Sequence, residues 1–445
     1  ESGVERKGWR RPFFVIWSGQ AASLLGSQLV QFALVWWLTQ QTGSATVLAS
    51  ATLAGMLPQV FIGPLAGALV DRWNRRWVMI IADSLSALFV LALAGLFWSG
   101  QVQVWHIYLL MFLRSAAGGF HWPAMQASTS LMVPKEHLSR VQGLNQVLSG
   151  LMNIGAAPLG ALLIAWLPMQ GVLAIDVVTA GLAILPLCFV RIPQPERAPG
   201  AVQQASLGQD LQAGFRYVWR WTGLMLIALM AAVINLLLTP TGSLQPILVT
   251  RHFNGGAFQL AWLETAWGLG MVSGGLLLSV WGGFRRRILT SMLGLVIMGL
   301  AVLGVGLAPA NAFPLAAALM FLVGLSNPIV NGPLFAVVQA VVAPEMQGRV
   351  FTLISSLATA MTPVGLIVAG PLADRLGVQT WYLVGGVVTA LMGLGALFLP
   401  AVMNIERDAG LPAGGPGHAA AGAPDPAALA GLQPARLEVR LEEDC

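Results

Sequence analysis

Twelve times along this chain an apolar run of about 20 residues or more is closed by a short polar turn. The runs lie at about 13–39, 46–70, 77–98, 104–125, 143–167 and 169–190, and then at about 223–249, 258–281, 288–308, 313–339, 350–372 and 380–403. About 20 apolar residues in a helix cross the hydrocarbon layer of a bilayer, so each run reads as one membrane span. Composition agrees: of 445 residues 56% are hydrophobic and 9% charged, against roughly 25% charged in an average soluble domain.

The polar stretch 191–222 separates six runs from six. It opens with Pro193, Pro195 and Pro199 and continues into Leu207, Leu211, Phe215 and Val218, apolar residues at helical spacing that predict an amphipathic helix lying on the membrane surface. Residues 404–445 turn to Ala, Gly and Pro and are expected to be a disordered tail. The sixes are also copies. Leu110-Met-Phe-Leu113 recurs as Leu319-Met-Phe-Leu322, and Arg140-Val141 recurs as Arg349-Val350, both at an offset of 209, with Pro134 echoed one position later by Pro344. The expected fold is an all-α membrane protein whose twelve transmembrane helices form two pseudo-symmetric six-helix bundles, residues 13–190 and 223–403.

The net charge of +5 does not mark a nucleic-acid protein, because the basic residues are scattered over short turns and form no patch interleaved with aromatics. They sort instead by side. With the N-terminal arm, residues 1–12, in the cytoplasm, 20 of the 23 Lys and Arg fall on that side; only Arg251 and Arg375 fall outside, and Arg114 lies within a run. This asymmetry predicts both termini inside. Arg6, Lys7, Arg10 and Arg11 precede a first run too long for a signal-peptide core, which reads as a retained span. Cys188 and Cys445 can build neither a disulfide framework nor a metal site. No phosphate-binding GxxxxGK[ST] loop and no nucleophile with a base appears, so an enzyme is not expected.

Between the second and third runs lie Gly63, Gly67, Asp71, Arg72, Arg75 and Arg76. Two glycines four apart let a neighbouring helix approach closely, and Asp71 follows one helical step later. The pattern Gly67, Leu69, Asp71, Arg72, Arg75, Arg76 resembles the loop between helices two and three of the major facilitator superfamily, with Asn74 where that family usually has glycine. The resemblance extends over residues 13–403. It implies that Gly67, Asp71, Arg72, Arg75 and Arg76 form a cytoplasmic latch between the halves that stabilises an outward-open state. Gly150, Gly155, Pro158 and Gly160 resemble the fifth-helix motif of drug:proton antiporters, and Gly19–Gln28, Thr42–Thr46 and Val133–Arg140 resemble the macrolide-efflux and siderophore-export branch.

Four ionisable residues besides His stand inside the runs: Asp83, Arg114, Asp176 and Glu264. Each costs about 2.5–3.5 kcal/mol near a helix centre and asks for a reason. At offset 209 they meet Met292, Val323, Gly385 and, looking back, Gly55, so the repeat itself does not demand them. Leu110, Arg114 and Gly118 resemble the fourth-helix motif of proton-coupled facilitators, which implies that Arg114 tunes a protonatable partner; the alternative is an arginine satisfied by backbone carbonyls. Glu264 is a candidate for loading and releasing protons, or else a carboxylate hydrated near its helix start. For Asp83 and Asp176 the expectation is structural salt bridges, Asp83 with the arginines of the 63–76 loop.

Polar residues recur at helical spacing on four runs: Gln20, Ser23, Ser27 and Gln31; Arg114 and His121; Asn235, Thr239 and Ser243; Asn327 and Asn331. These are the first, fourth, seventh and tenth runs, which the resemblance implies line a central cavity; interhelical hydrogen bonding is the competing explanation. The expected function is export of amphiphilic small molecules, drug-, macrolide- or siderophore-like, by alternating access and proton antiport. Glu264 and Arg114 would couple, and Gln20, Ser27, Gln31, His121, Asn235, Thr239, Asn327 and Asn331 would meet substrate. No cofactor is expected beyond the proton gradient; the partners are the substrate and membrane lipids, not nucleic acid, and the chain is expected to act as a monomer in a bacterial plasma membrane. A lipid or lysolipid flippase, and a non-transporting receptor or scaffold, are the alternatives.

Overall fold

The computed structural model of the chain describes residues 9–70, 73–190, 192 and 207–408; among them there are helices and no strands. Six long helices, α1 (Arg10–Thr42), α2 (Ala45–Val70), α3 (Arg75–Trp98), α4 (Val104–Met132), α5 (Lys135–Trp166) and α6 (Met169–Phe189), precede the amphipathic α7 (Leu207–Arg220). Six more follow: α8 (Thr222–Ile247), α9 (Ala257–Trp281), α10 (Arg287–Leu307), α11 (Phe313–Val341), α12 (Pro344–Leu376) and α13 (Val378–Phe398). Ten of these are long and apolar enough to cross a membrane; α2 and α4, with 26 and 29 residues, match them in length. In the following, the near face is the one from which α1 starts, and the far face the one at which it ends.

The duplication is visible in the packing. Within the first half α1 packs on α5 and α6, α2 on α4, and α3 on α4 and α6; within the second α8 packs on α12 and α13, α9 on α11, and α10 on α11 and α13. Each pairing has its counterpart seven helices on, α7 being the extra one. Between the halves α2 packs on α12 and α5 on α9, which is one contact and its mirror in the exchange of halves. The starts Val104 and Phe313, Lys135 and Pro344, Met169 and Val378 are each 209 apart, but Arg10 and Thr222, and Ala45 and Ala257, are 212 apart. Arg75 and Arg287 are 212 apart as well, so the first three helices of each copy are out of the common register; Glu264 corresponds to Thr52, not to the expected Gly55, and Asp83 to Leu295, not to the expected Met292.

At the far face α1 turns into α2 in two residues. Gly43 takes the left-handed conformation, φ 58°, and its N–H bonds back to the Thr39 carbonyl at 2.9 Å. Glycine reaches this region without the steric cost that a Cβ would bring. The first N–H groups of α2 then lack partners in their own helix, and Asp374 of α12 supplies them from the other half. Its carboxylate accepts from Ala45 N (2.8 Å), Thr46 N (2.9 Å), Thr46 Oγ1 (2.7 Å) and Ser44 Oγ (2.8 Å). Arg251 Nη1 stands 3.8 Å from the same carboxylate, at the end of a π-helical turn, Leu248–His252, that follows Pro246. The backbones approach closely here: a Cβ on Gly370 would lie 2.8 Å from the Thr46 Cα.

The near face carries α7. Val218 is buried, and a Cβ on Gly214 would lie 2.8 Å from the Arg349 carbonyl of α12, while Phe215 and Trp219 stack, centroids 5.4 Å apart, on the exposed side. The helix therefore docks with Val218 and Gly214 inward and leaves Phe215, expected on the same apolar face as Val218, outward with Trp219. The expected disordered tail begins later than residue 404. Ile405–Asp408 is a helical turn, because Ile405 is fully buried in a niche that Gly223 leaves open at the start of α8. Residues 1–8, 193–206 and 409–445, with most of the expected arm, linker and tail, lie outside the described residues.

Candidate functional site

The predicted cavity residues fall into two cavities, one in each half, rather than into a single one lined by the first, fourth, seventh and tenth runs. The first, of about 210 Å³, is walled by α1, α3, α4 and α6 and takes in Gln20, Ser27, Arg114 and His121 together with Asp83 and Asp176. The second, of about 580 Å³, is walled by α8, α9, α10, α11 and α13 and takes in Asn235, Thr239, Glu264, Asn327 and Asn331. Gln31 lines neither wall and is exposed. One turn further along α1 than Ser27, it is past the level at which α3 and α6 close over the first cavity.

In the first cavity every charge has a partner. Arg114 Nη1 lies 3.0 Å from Asp176 Oδ2, and Ser27 donates to the other carboxylate oxygen at 3.1 Å. Seven residues along α4, on the same helix face, His121 Nε2 lies 3.3 Å from Asp83 Oδ1 without the alignment of a hydrogen bond. Gln20 donates to Asp83 Oδ2 at 3.0 Å. Asp83 and Asp176 do form salt bridges, as expected, but not as scaffold remote from the cavity. Both are on its wall, and Asp83 faces His121 in place of the loop arginines. The reason lies in the packing: α3 and α6 each press against the helices that carry the polar stripes, so their inward carboxylates join the same cluster.

The loop arginines bind elsewhere. Arg75 Nη1 donates to the Ala127 carbonyl at 3.3 Å, and the Arg76 guanidinium donates to the carbonyls of Leu187 and Cys188. The last carbonyls of a helix have no partner within it, so Arg76 closes the end of α6 and fastens α3 to its own half. Asp71 and Arg72 of the expected latch are outside the described residues, and Gly67 is placed within α2.

The second cavity is mostly apolar. Met230, Met292, Met298 and Met320, flexible side chains that fit many shapes, line it with Trp267 and Tyr382. Glu264 has no hydrogen bond or ion pair among the described residues, yet it is partly buried and on the wall. Trp267 is three residues on and shares its helix face. A carboxylate in an apolar cavity without a counter-charge is unfavourable and is relieved by a proton or a cation; a cation held there can also lie over the indole ring. Most of the other wall polar groups are already occupied. Asn235 Nδ2 donates to the Ala231 carbonyl (2.9 Å), Asn331 Nδ2 to that of Asn327 (3.1 Å), and Tyr382 Oη to that of Thr241 (2.6 Å). Trp267 and Tyr382 belong to no polar stripe, and Gln245, two residues past Ser243, is off the four-residue spacing of Asn235, Thr239 and Ser243 on the seventh run. Other apolar residues of the runs, Met56, Met111, Phe120 and Phe335, are absent from both walls; Phe120 stacks on Trp73, and Phe335 meets Phe351 at a tilt.

With this geometry in place, comparison with known proteins is informative. The family model described as the Major Facilitator Superfamily matches residues 16–365 and again 227–428. Macrolide efflux protein A of Streptococcus pyogenes is 33% identical over 399 residues, 90% of this chain and 98% of its own length. Multidrug efflux pump Tap of Mycolicibacterium fortuitum is 29% identical over 412 residues, 89% of this chain and 98% of its own. Among solved structures, a bacterial homologue of the human lysosomal transporter Spinster, in an inward-facing and unoccupied conformation, superposes with a TM-score of 0.63 at 13% identity, covering 90% of this chain and 98% of that one. The nucleoside transporter NupG gives 0.59 at 15% identity, over 85% and 97%. At these identities the structures speak for the fold alone.

Proposed function

The chain belongs to the Major Facilitator Superfamily, and from that premise we propose that it exports amphiphilic small molecules, of the macrolide or multidrug kind, from a bacterial cell by alternating access coupled to proton antiport. The observation that carries this reading is Glu264, an unpartnered carboxylate on the wall of an apolar cavity of about 580 Å³. Such a site holds either a proton or an amphiphilic cation, and exchange of one for the other at alternating sides is antiport. A proton moving down a 100 mV potential supplies about 2.3 kcal/mol. In this reading Arg114 acts through Asp176, which it holds, and the far-face clasp of Asp374 keeps the cavity shut to the outside. The excess of Lys and Arg on the near face supports an inner-membrane protein with both termini in the cytoplasm. The chain works as a monomer and draws on the proton gradient without a cofactor.

The test is transport of a lipophilic cation in inverted vesicles with an imposed pH gradient. Glu264→Gln, which keeps the shape and removes the charge, is expected to lower gradient-driven export by at least about 10-fold, the loss that about 1.4 kcal/mol of a missing interaction produces. Export unchanged in that variant would remove Glu264 from the mechanism.

A further inference from the structure

The larger cavity holds a second polar group without a partner among the described residues. Gln245 lies two residues before the end of α8 and is only 6% exposed, yet its Nε2 has no hydrogen-bond partner. Its neighbours on the helix differ: Thr241, one turn earlier, donates to the Leu238 carbonyl at 2.5 Å and accepts the Tyr382 hydroxyl on its own carbonyl. A buried amide N–H without an acceptor is unfavourable, and native proteins keep few of them. One that lines a cavity is completed when a ligand brings the acceptor.

Gln245 and Glu264 stand toward the same end of that cavity. Gln245 is at the far end of α8; the π-helical turn and residues 253–256 lead directly into α9, where Glu264 lies on the second turn. Around them the wall is Met298, Val302, Met320 and Val323. An amphiphile whose cationic group is drawn to Glu264 therefore shares its end of the cavity with the Gln245 amide, while Tyr382 and Thr241 on the same wall are already bonded to each other.

We propose that Gln245 sets the specificity of the cavity, donating from Nε2 to a carbonyl or ester oxygen of a cationic amphiphile whose charge is held at Glu264. This rests on the reading of the cavity as the substrate site. It predicts two levels of recognition: any hydrophobic monocation enters, and one carrying an acceptor oxygen binds more tightly. A donor matched to an acceptor discriminates more strongly than an apolar wall, because the ligand without the oxygen leaves the buried N–H unpaired.

Two probes separate the levels. Tetraphenylphosphonium is a hydrophobic cation without an acceptor; rhodamine 6G is one with an ester carbonyl. Binding of each to the purified full chain in lipid nanodiscs is measured for the wild type, Gln245→Met and Glu264→Gln. Gln245→Met is expected to weaken rhodamine 6G by at least about 10-fold, a single hydrogen bond to a buried donor, and to leave tetraphenylphosphonium within about twofold. Retained tetraphenylphosphonium binding also reports that the variant is folded. Gln245→Asn keeps an amide but withdraws it by one methylene; it should discriminate in the same sense, and decides the matter where the Met variant does not fold. Equal loss of both probes, or loss of neither, while Glu264→Gln weakens both, overturns the role of Gln245. Undiminished binding of both probes to Glu264→Gln overturns instead the reading of the cavity.

Discussion

Carried forward to the other copy, by 212 residues on α3 and by 209 on α4, the wall of the smaller cavity lands on the wall of the larger one: Asp83 on Leu295, Ser86 on Met298, Arg114 on Val323, Gly118 on Asn327 and His121 on Val330. These are one place in two copies of a six-helix bundle, filled in opposite ways. In the first copy the Arg114–Asp176 ion pair and the His121–Asp83 contact tie α6 and α3 to α4, and Ser27 and Gln20 of α1 donate to the same carboxylates, over about 210 Å³. In the second the same positions carry apolar side chains and an asparagine, nothing pulls the helices inward, and about 580 Å³ stays open with one carboxylate that entered from α9. The difference teaches what a charge inside this fold is for. Where the partner is another side chain, the pair holds the bundle; where none is present, the group is available to a guest.

Substitutions that exchange the two conditions test this directly. The largest effect is expected from Arg114→Met or Asp176→Leu alone, each of which strands a buried charge and should destabilise the protein by about 3–5 kcal/mol. The double variant copies the apolar character of the second half and should recover most of that loss, read from thermal unfolding in detergent. A double variant as unstable as either single one would break the comparison. A smaller effect is expected at the junction between the halves. Asp374→Asn weakens charge-assisted bonds to donors of α1–α2 and should lower the stability of the closed far face by about 1.5–3 kcal/mol. Distances between spin labels at the far ends of α2 and α12 should then lengthen or broaden; an unchanged distribution would remove Asp374 from closure. The smallest effect is on the stability of Glu264→Gln. No bond is broken and a desolvated charge is removed, so the melting temperature should stay or rise, in contrast to its transport. A fall comparable to that of the Arg114 variant would mean that Glu264 has a structural partner after all.

Much of this was legible in the residues. Twelve apolar runs and the amphipathic 207–221 stretch carry their own periodicity, and two matched landmarks were enough to reveal the repeat. The offset of 209 misled for α1, α2 and α3, where no landmark was available to show a different spacing. Within the site, Arg114 and Glu264 stand out because a charge in an apolar run is expensive wherever it points. Which helices face each other is a different matter. Asp83 and His121 are 38 positions apart on separate helices, and nothing along either one announces the other. For the same reason the stripes placed α1 and α4 at a cavity but could not bring in α3 and α6. Gln245 was missed because one amide near the end of a span looks like an interfacial residue; only its burial and its unanswered N–H distinguish it.

The Asp374 clasp has a thermal consequence. It is at once the bolt between the halves and the cap of a helix, since the carboxylate that joins α12 to α2 also holds the first turn of α2 in order. Drawing the halves apart at the far face leaves the Ala45 and Thr46 amides facing water, with only the 3.3 Å bond from Val47 N to Ser44 Oγ remaining as a cap, and a helix end so weakened frays. Each residue that frays regains backbone freedom worth about 1–2 kcal/mol in TΔS, so the opened form has an entropy that the shut form lacks. Warming should therefore shift the population toward the form open at that face, and cooling should lock it.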